Sequence, residues 1–111
     1  MKLQEITEKL GLQPLTTLED REVEGIFISD MLSDVMASAK AADLWMTVQT
    51  YKNIVSAANL VDISAIVITY GKTVPQETID LAARFRVNLL STPKSNFELA
   101  GQLYAIGFKT R

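Results

Sequence analysis

Between Ala65 and Ile68 the chain runs alanine, isoleucine, valine, isoleucine with no polar interruption, and on either side stand stretches whose apolar residues recur at helical spacing. A short, continuously apolar run suits a strand covered on both faces, since a half-wet strand alternates apolar with polar positions. Helices packed on both sides of a parallel sheet supply that cover.

The same strand-then-helix order recurs along the chain. Leu3, Ile6 and Leu10 mark an opening helix that Gly11 stops, with Pro14 in the connection after it. Val23 to Ile28 reads as a strand, followed by a helix capped by Ser29 or Asp30 with Leu32, Val35, Met36 and Ala39 on its apolar face. Leu44 to Val48 is the next strand, and its helix runs from about Asn53 to Val61 with Ile54, Ala58 and Val61 inward. Ala65 to Thr69 follows as a strand. Pro75 suits the first turn of a helix capped by Thr73, with Ile79, Ala82 and Ala83 buried. Val87 to Leu90 is a short strand, and a Ser95/Glu98 capping box opens the last helix, which passes through Phe97, Ala100 and Tyr104 to a stop at Gly107. The stretch from Leu12 to Glu22 fits no regular pattern, with room for an extra edge strand near Leu15 to Leu18. The expected fold is α/β, a three-layer αβα sandwich around a mostly parallel sheet of four to five strands, forming a single domain over residues 1–111.

Composition narrows the chemistry. The 111 residues contain neither cysteine nor histidine, which removes thiolate chemistry, disulfides, the commonest transition-metal ligands and the usual general base near neutral pH. A net charge of −2 with no cluster of lysine and arginine gives no reason to expect a nucleic-acid partner. The N-terminus carries no apolar targeting segment, and no stretch is long enough to span a membrane, so the expectation is a cytoplasmic protein.

Ligands of parallel α/β sheets gather outside the carboxyl ends of the strands. Here those ends carry Ser29-Asp30, Gln49-Thr50 with Asn53, Thr69-Tyr70-Gly71 with Lys72, and Ser91-Thr92 with Ser95. Ser29, Asp30, Gln49, Thr50, Asn53, Ser91 and Thr92 are the candidate ligand-binding residues. The competing account is that they are helix caps and loop residues, which any such fold needs. Gly71-Lys72-Thr73 resembles the end of a phosphate-binding loop, but that motif needs a glycine where Ile66 stands inside a strand. Ordinary turn chemistry explains the tripeptide. Asp30 and Asp34, four apart on a helix, have the spacing of a weak cation site, but a solvated helix start with Asp30 as the cap is the better account of them. Trp45 belongs to the core or to a subunit interface rather than to a stacking platform. No catalytic set, metal site or cofactor is expected.

Gly25-Ile26-Phe27-Ile28-Ser29-Asp30-Met31-Leu32-Ser33-Asp34-Val35-Met36, Thr47-Val48-Gln49-Thr50 with Asn53-Ile54-Val55, and Leu89-Leu90-Ser91-Thr92 with Phe97-Glu98-Leu99-Ala100-Gly101 together resemble the DRTGG domain family. The resemblance extends over roughly residues 1 to 107. The name-giving string is absent, its nearest counterpart being Asp20-Arg21 followed by Glu22-Val23. The resemblance implies a fold similar to the N-terminal domain of HPr kinase/phosphorylase, without that protein's P-loop catalytic domain. It further implies a bacterial, non-catalytic regulatory module, a homodimer, and a small ligand such as a nucleotide. The alternatives are a purely structural protein–protein interaction domain and, from another class, an enzyme or phosphoryl-transfer fragment using Asp30 and Lys72.

Overall fold

The computed structural model describes residues 1–111. Helix α1 (Leu3–Leu10) and strand β1 (Gln13–Pro14) come first, followed by β2 (Gly25–Ile28), α2 (Leu32–Ser38), β3 (Asp43–Thr47) and α3 (Asn53–Val61). The chain continues through β4 (Ala65–Ile68), α4 (Gln76–Arg84) and β5 (Leu89–Ser91) to α5 (Asn96–Ala105). The sheet has five strands in the order β1-β5-β4-β3-β2. β2 through β5 are parallel neighbours in sequence order, and β1 adds antiparallel to β5 through Gln13↔Ser91 and Pro14↔Leu90.

Strand alternation divides the core into two halves. Leu44, Met46, Ala65, Val67 and Leu90 turn to one side and meet α1 and α5. Trp45, Ile66, Ile68 and Leu89 turn to the other side and meet α2, α3 and α4. Each crossover between consecutive parallel strands has the same hand, so their three helices share one face. The expected three-layer sandwich is therefore present, with β4 buried along its whole length. Burial on that scale stabilises by roughly 1.5–3 kcal/mol for each large apolar side chain.

Several local expectations are corrected. The helix after β2 starts one residue beyond Met31, and neither Ser29 nor Asp30 caps it. Asp30 is drawn instead to the end of β3, while Ser29 Oγ accepts a hydrogen bond from Met31 N at 3.1 Å. Met36 is exposed, because only Val35 of α2 reaches the core fully. Pro75, not Thr73, stands at the N-cap of α4, where Thr78 is buried and Ala83 exposed. Val61 is half-buried. In α5 it is Leu99 and Leu103 that face the sheet, leaving Phe97 and Tyr104 exposed. The extra edge strand exists two residues earlier than expected, at Gln13–Pro14. Gly11 takes φ 64° as the stop of α1, and Ser95 Oγ accepts from Glu98 N at 3.1 Å, one of the two bonds of the expected capping box. Trp45 is fully buried, which places it in the core. No helix is long and apolar enough to cross a membrane.

Candidate functional site at the strand C-terminal rim

Four parallel strands in one sheet place their carboxyl ends along one rim, and the candidate residues follow them. Ser29, Asp30, Gln49 and Thr92 enter two hydrogen-bonded groups. In the first, Asp30 Oδ1 accepts from Thr47 Oγ1 and from Val48 N, each at 2.9 Å. Gln49 joins it, its N donating to Thr47 Oγ1 at 3.1 Å and its Nε2 to Asp30 O at 3.3 Å. Ser29 O accepts from Trp45 Nε1 at 2.8 Å, which ties the rim to the core beneath it.

The second group lies over β4 and β5. Thr92 is buried; its N donates to Ile68 O at 2.9 Å and its carbonyl accepts from Gly71 N at 3.0 Å. Tyr70 N donates to Lys94 O at 2.9 Å, and Thr69 Oγ1 to Asn96 Oδ1 at 2.6 Å. The chain leaves β4 towards α4 on one face and β5 towards α5 on the other, so the topological switch of this sheet falls between these two strands. Backbone hydrogen bonds between the two loops close that crevice.

Of the remaining candidates, Thr50 gives its carbonyl to Thr78 Oγ1 at 2.8 Å. Asn53 is exposed at the first position of α3, and Ser91 is half-buried at the end of β5. The structure thus joins Asp30 to Gln49 and ties Ser29 to the core below them. It places Thr92 in a separate cluster and sets Asn53 and Ser91 nearby without drawing them into either. Asp30 Oδ2 and Gln49 Oε1 make no bond within the chain.

Two exposed rim residues were not among the candidates. Tyr51 is 70% exposed and Met31 59% exposed, in the loops after β3 and β2. Tyr70, in the loop after β4, is exposed as well. The available signal was an aromatic residue just past a strand end and next to a lysine, as in Tyr51-Lys52 and Tyr70-Gly71-Lys72. Tyr70 holds φ 63° and Gly71 φ 64°, a left-handed pair that costs most at the tyrosine. Lys52 stands 4.0 Å from Glu77 with both side chains more than half exposed, a contact worth little in water.

Clefts lie away from the rim. A groove of about 200 Å³ runs between β2 and α5, lined by Ile26, Ile28, Leu103, Tyr104 and Phe108. Two others of about 250 Å³ each flank the Glu19–Arg86 ion pair at the opposite end of the sheet. No three carboxylates converge as a metal site would require. At the end of the sheet away from the rim, the hydrogen bond from the Met1 ammonium holds the exposed Glu22 carboxyl below its ordinary value.

The architecture defines a small, mostly parallel three-layer α/β domain, and a solved structure shares it. This chain is similar to the CBS and DRTGG domains of the regulatory region of Clostridium perfringens pyrophosphatase, a structure complexed with the activator diadenosine tetraphosphate. The TM-score is 0.67 at 16% identity, covering 89% of this chain and 44% of that one. The chain therefore spans less than half of the protein it matches, and at that identity the likeness is one of fold. No protein-family model matches the sequence, and no curated protein does.

Proposed function

We propose that residues 1–111 form one non-catalytic regulatory domain of the DRTGG type, akin also to the N-terminal domain of HPr kinase/phosphorylase. In this reading it works in the bacterial cytoplasm as a homodimer and takes a small anionic ligand of the nucleotide kind at the strand C-terminal rim. The observation that carries the proposal is the fold shared over 89% of the chain with a regulatory region complexed with a nucleotide activator.

Rim chemistry supports it. Asp30 Oδ2 and Gln49 Oε1 are acceptors suited to ribose hydroxyls or an exocyclic amine. The exposed faces of Tyr51 and Tyr70 suit a base, since stacking tolerates any π-face. Lys52 and Lys72 bring positive charge beside them for phosphate. Catalysis through Asp30 and Lys72 has less support, because the Asp30 carboxylate is already anchored by Thr47 and Val48.

The test is isothermal titration of the full chain with ATP and with diadenosine tetraphosphate. Wild-type protein is expected to bind at least one of them, and the Gln49→Ala, Thr50→Ala double variant to lose that binding at an almost unchanged melting temperature. The small stability change follows because the only side-chain bond removed is Gln49 Nε2 to Asp30 O at 3.3 Å, and Thr50 keeps the carbonyl that Thr78 uses. A folded double variant with intact affinity removes these residues from the site. A wild type that binds neither nucleotide removes the ligand from the function and leaves an interaction domain.

A further inference from the structure

We propose that the outer face of α5 is a self-complementary docking surface that takes α5 of a second copy of this chain, antiparallel, across a two-fold axis. This rests on the homodimer of the reading above and assigns its interface.

A helix lying on a sheet needs one apolar side and turns its polar side to water. α1, on the same face of the sheet, obeys that rule: Leu3, Ile6 and Leu10 are buried, and Gln4, Glu5, Glu8 and Lys9 are exposed. α5 departs from it. Leu99 and Leu103 fill the inward stripe, yet Phe97, Gly101, Tyr104 and Ala105 lie on the solvent side, and Glu98 is the helix's single charged residue. Phe97 is 90% exposed and Tyr104 61%. Positions 97, 101 and 104 follow the spacing of a seam between packed helices.

Gly101 supplies an independent observation. An interior glycine weakens a helix relative to alanine. Nothing within the chain calls for it, since a Cβ at this position would meet no atom within 4 Å. A second helix backbone approaching at Gly101 accounts for the missing side chain.

Charge selects the occupant and its direction. Glu98 stands at the start of α5 and Lys109 just after its end, where Lys109 Nζ lies 3.8 Å from the Tyr104 ring centroid. An antiparallel copy brings Glu98 of each protomer towards Lys109 of the other and opposes the helix dipoles favourably, whereas a parallel copy sets like beside like. The same arrangement carries each Phe97 towards the partner's end of the seam. There the groove between β2 and α5, about 200 Å³ and lined by Ile28, Tyr104 and Phe108, receives it.

Sedimentation velocity on the full chain tests the proposal. Wild type is expected to be a dimer at micromolar concentration. Gly101→Arg projects into open space in the single chain, so the variant is expected to keep its helical circular dichroism while its dimer dissociation constant rises at least 100-fold. Glu98→Lys and Lys109→Glu are each expected to weaken the dimer at least threefold, and the double charge swap to restore it. A folded Gly101→Arg variant that dimerises as tightly as wild type overturns this interface but leaves the homodimer standing. A wild type that is monomeric at 1 mM overturns both, and nucleotide binding at the rim is unaffected by either outcome.

Discussion

Gly25 faces Asp43 in the β2–β3 register, and its missing side chain gives Arg111 room to lie against the sheet. A methyl group there would come 2.4 Å from Arg111 Nε and 2.6 Å from Asp43 Oδ1. Arg111 Nη2 donates to Asp43 Oδ1 at 2.7 Å and to Ala41 O at 2.8 Å, while Asp43 Oδ2 accepts from Lys40 N at 2.8 Å. Gly25→Ala therefore pushes the guanidinium off a carboxylate that is only 4% exposed. Stripping a buried charged group of one partner costs roughly 2–3 kcal/mol, and the 31% exposure of Arg111 favours the lower figure because water replaces part of the contact. Gly25 does not use the left-handed region, so alanine adopts its backbone without strain and returns roughly 0.5–1 kcal/mol through a less disordered unfolded chain. The expected net loss is about 1–2 kcal/mol.

Arg111→Ala alone is expected to cost about 2 kcal/mol. In that background the remaining obstacle to Gly25→Ala is Asp43 Oδ1, released from Arg111 and able to swing aside while Oδ2 keeps its bond from Lys40 N, and the cost falls to about 0.5 kcal/mol or less. The cycle should show a coupling of about 1 kcal/mol, above the roughly 0.5 kcal/mol within which independent sites add. Urea unfolding followed by the fluorescence of Trp45, the single tryptophan and fully buried, reads each corner of the cycle, with midpoints compared at constant m. Additivity of the two substitutions within about 0.3 kcal/mol, or a Gly25→Ala protein more stable than wild type, refutes the reasoning.

Asn88 is 2% exposed and holds the 15–22 stretch to the sheet, its Oδ1 accepting from Glu19 N at 2.8 Å and its Nδ2 donating to Glu19 O and Ser64 O at 2.9 Å each. Asn88→Ala should lose about 2–3 kcal/mol, or about 8–12 °C in a thermal melt, and a shift under about 3 °C would mean that water takes over these bonds. The Glu22 carboxyl is lowered first by its hydrogen bond from the Met1 ammonium, against an opposing desolvation, with further help from the charges of that ammonium and Lys2. A lowered folded-state value means that the contact stabilises above the ordinary carboxylate range and is lost as pH falls through the lowered value. N-terminal acetylation should return the group towards 4.5 in a carboxyl NMR titration, and a titration unchanged by acetylation would discount the contact.

The parallel body of the fold was legible because its strands are apolar runs and its helices carry local stops. Ala65–Ile68 and Asn53–Val61 fall where periodicity puts them. The region around β1 was legible only as room for an edge strand and not in its position, since its hydrogen bonds run to distant partners such as Asn88 and Leu89 rather than to a local ladder. Asp30 shows the limit of cap rules: an acid ahead of a helix also neighbours the next strand end, and Val48 N with Thr47 Oγ1 outcompeted the helix for it. Periodicity located α5 but chose the wrong side of it. Phe97, Ala100 and Tyr104 form as good an apolar stripe as Leu99 and Leu103, and one helix cannot turn both towards the same sheet. The rim residues were placed by strand order alone, whereas the hydrogen bonds that split them into two groups depend on side-chain geometry.

The in-order succession of β2, β3, β4 and β5 also bears on how the chain acquires its structure. Each parallel pairing closes a loop of one helix and its turns, so the entropy spent before the next contact forms is small, and this block can grow strand by strand. β1 is different. Its pairing of Gln13 with Ser91 bridges most of the chain and has no template until β5 is in place. Folding kinetics should therefore show substitutions at Gln13 and Pro14 acting mainly on the unfolding rate, and those in β3 and β4 slowing folding itself.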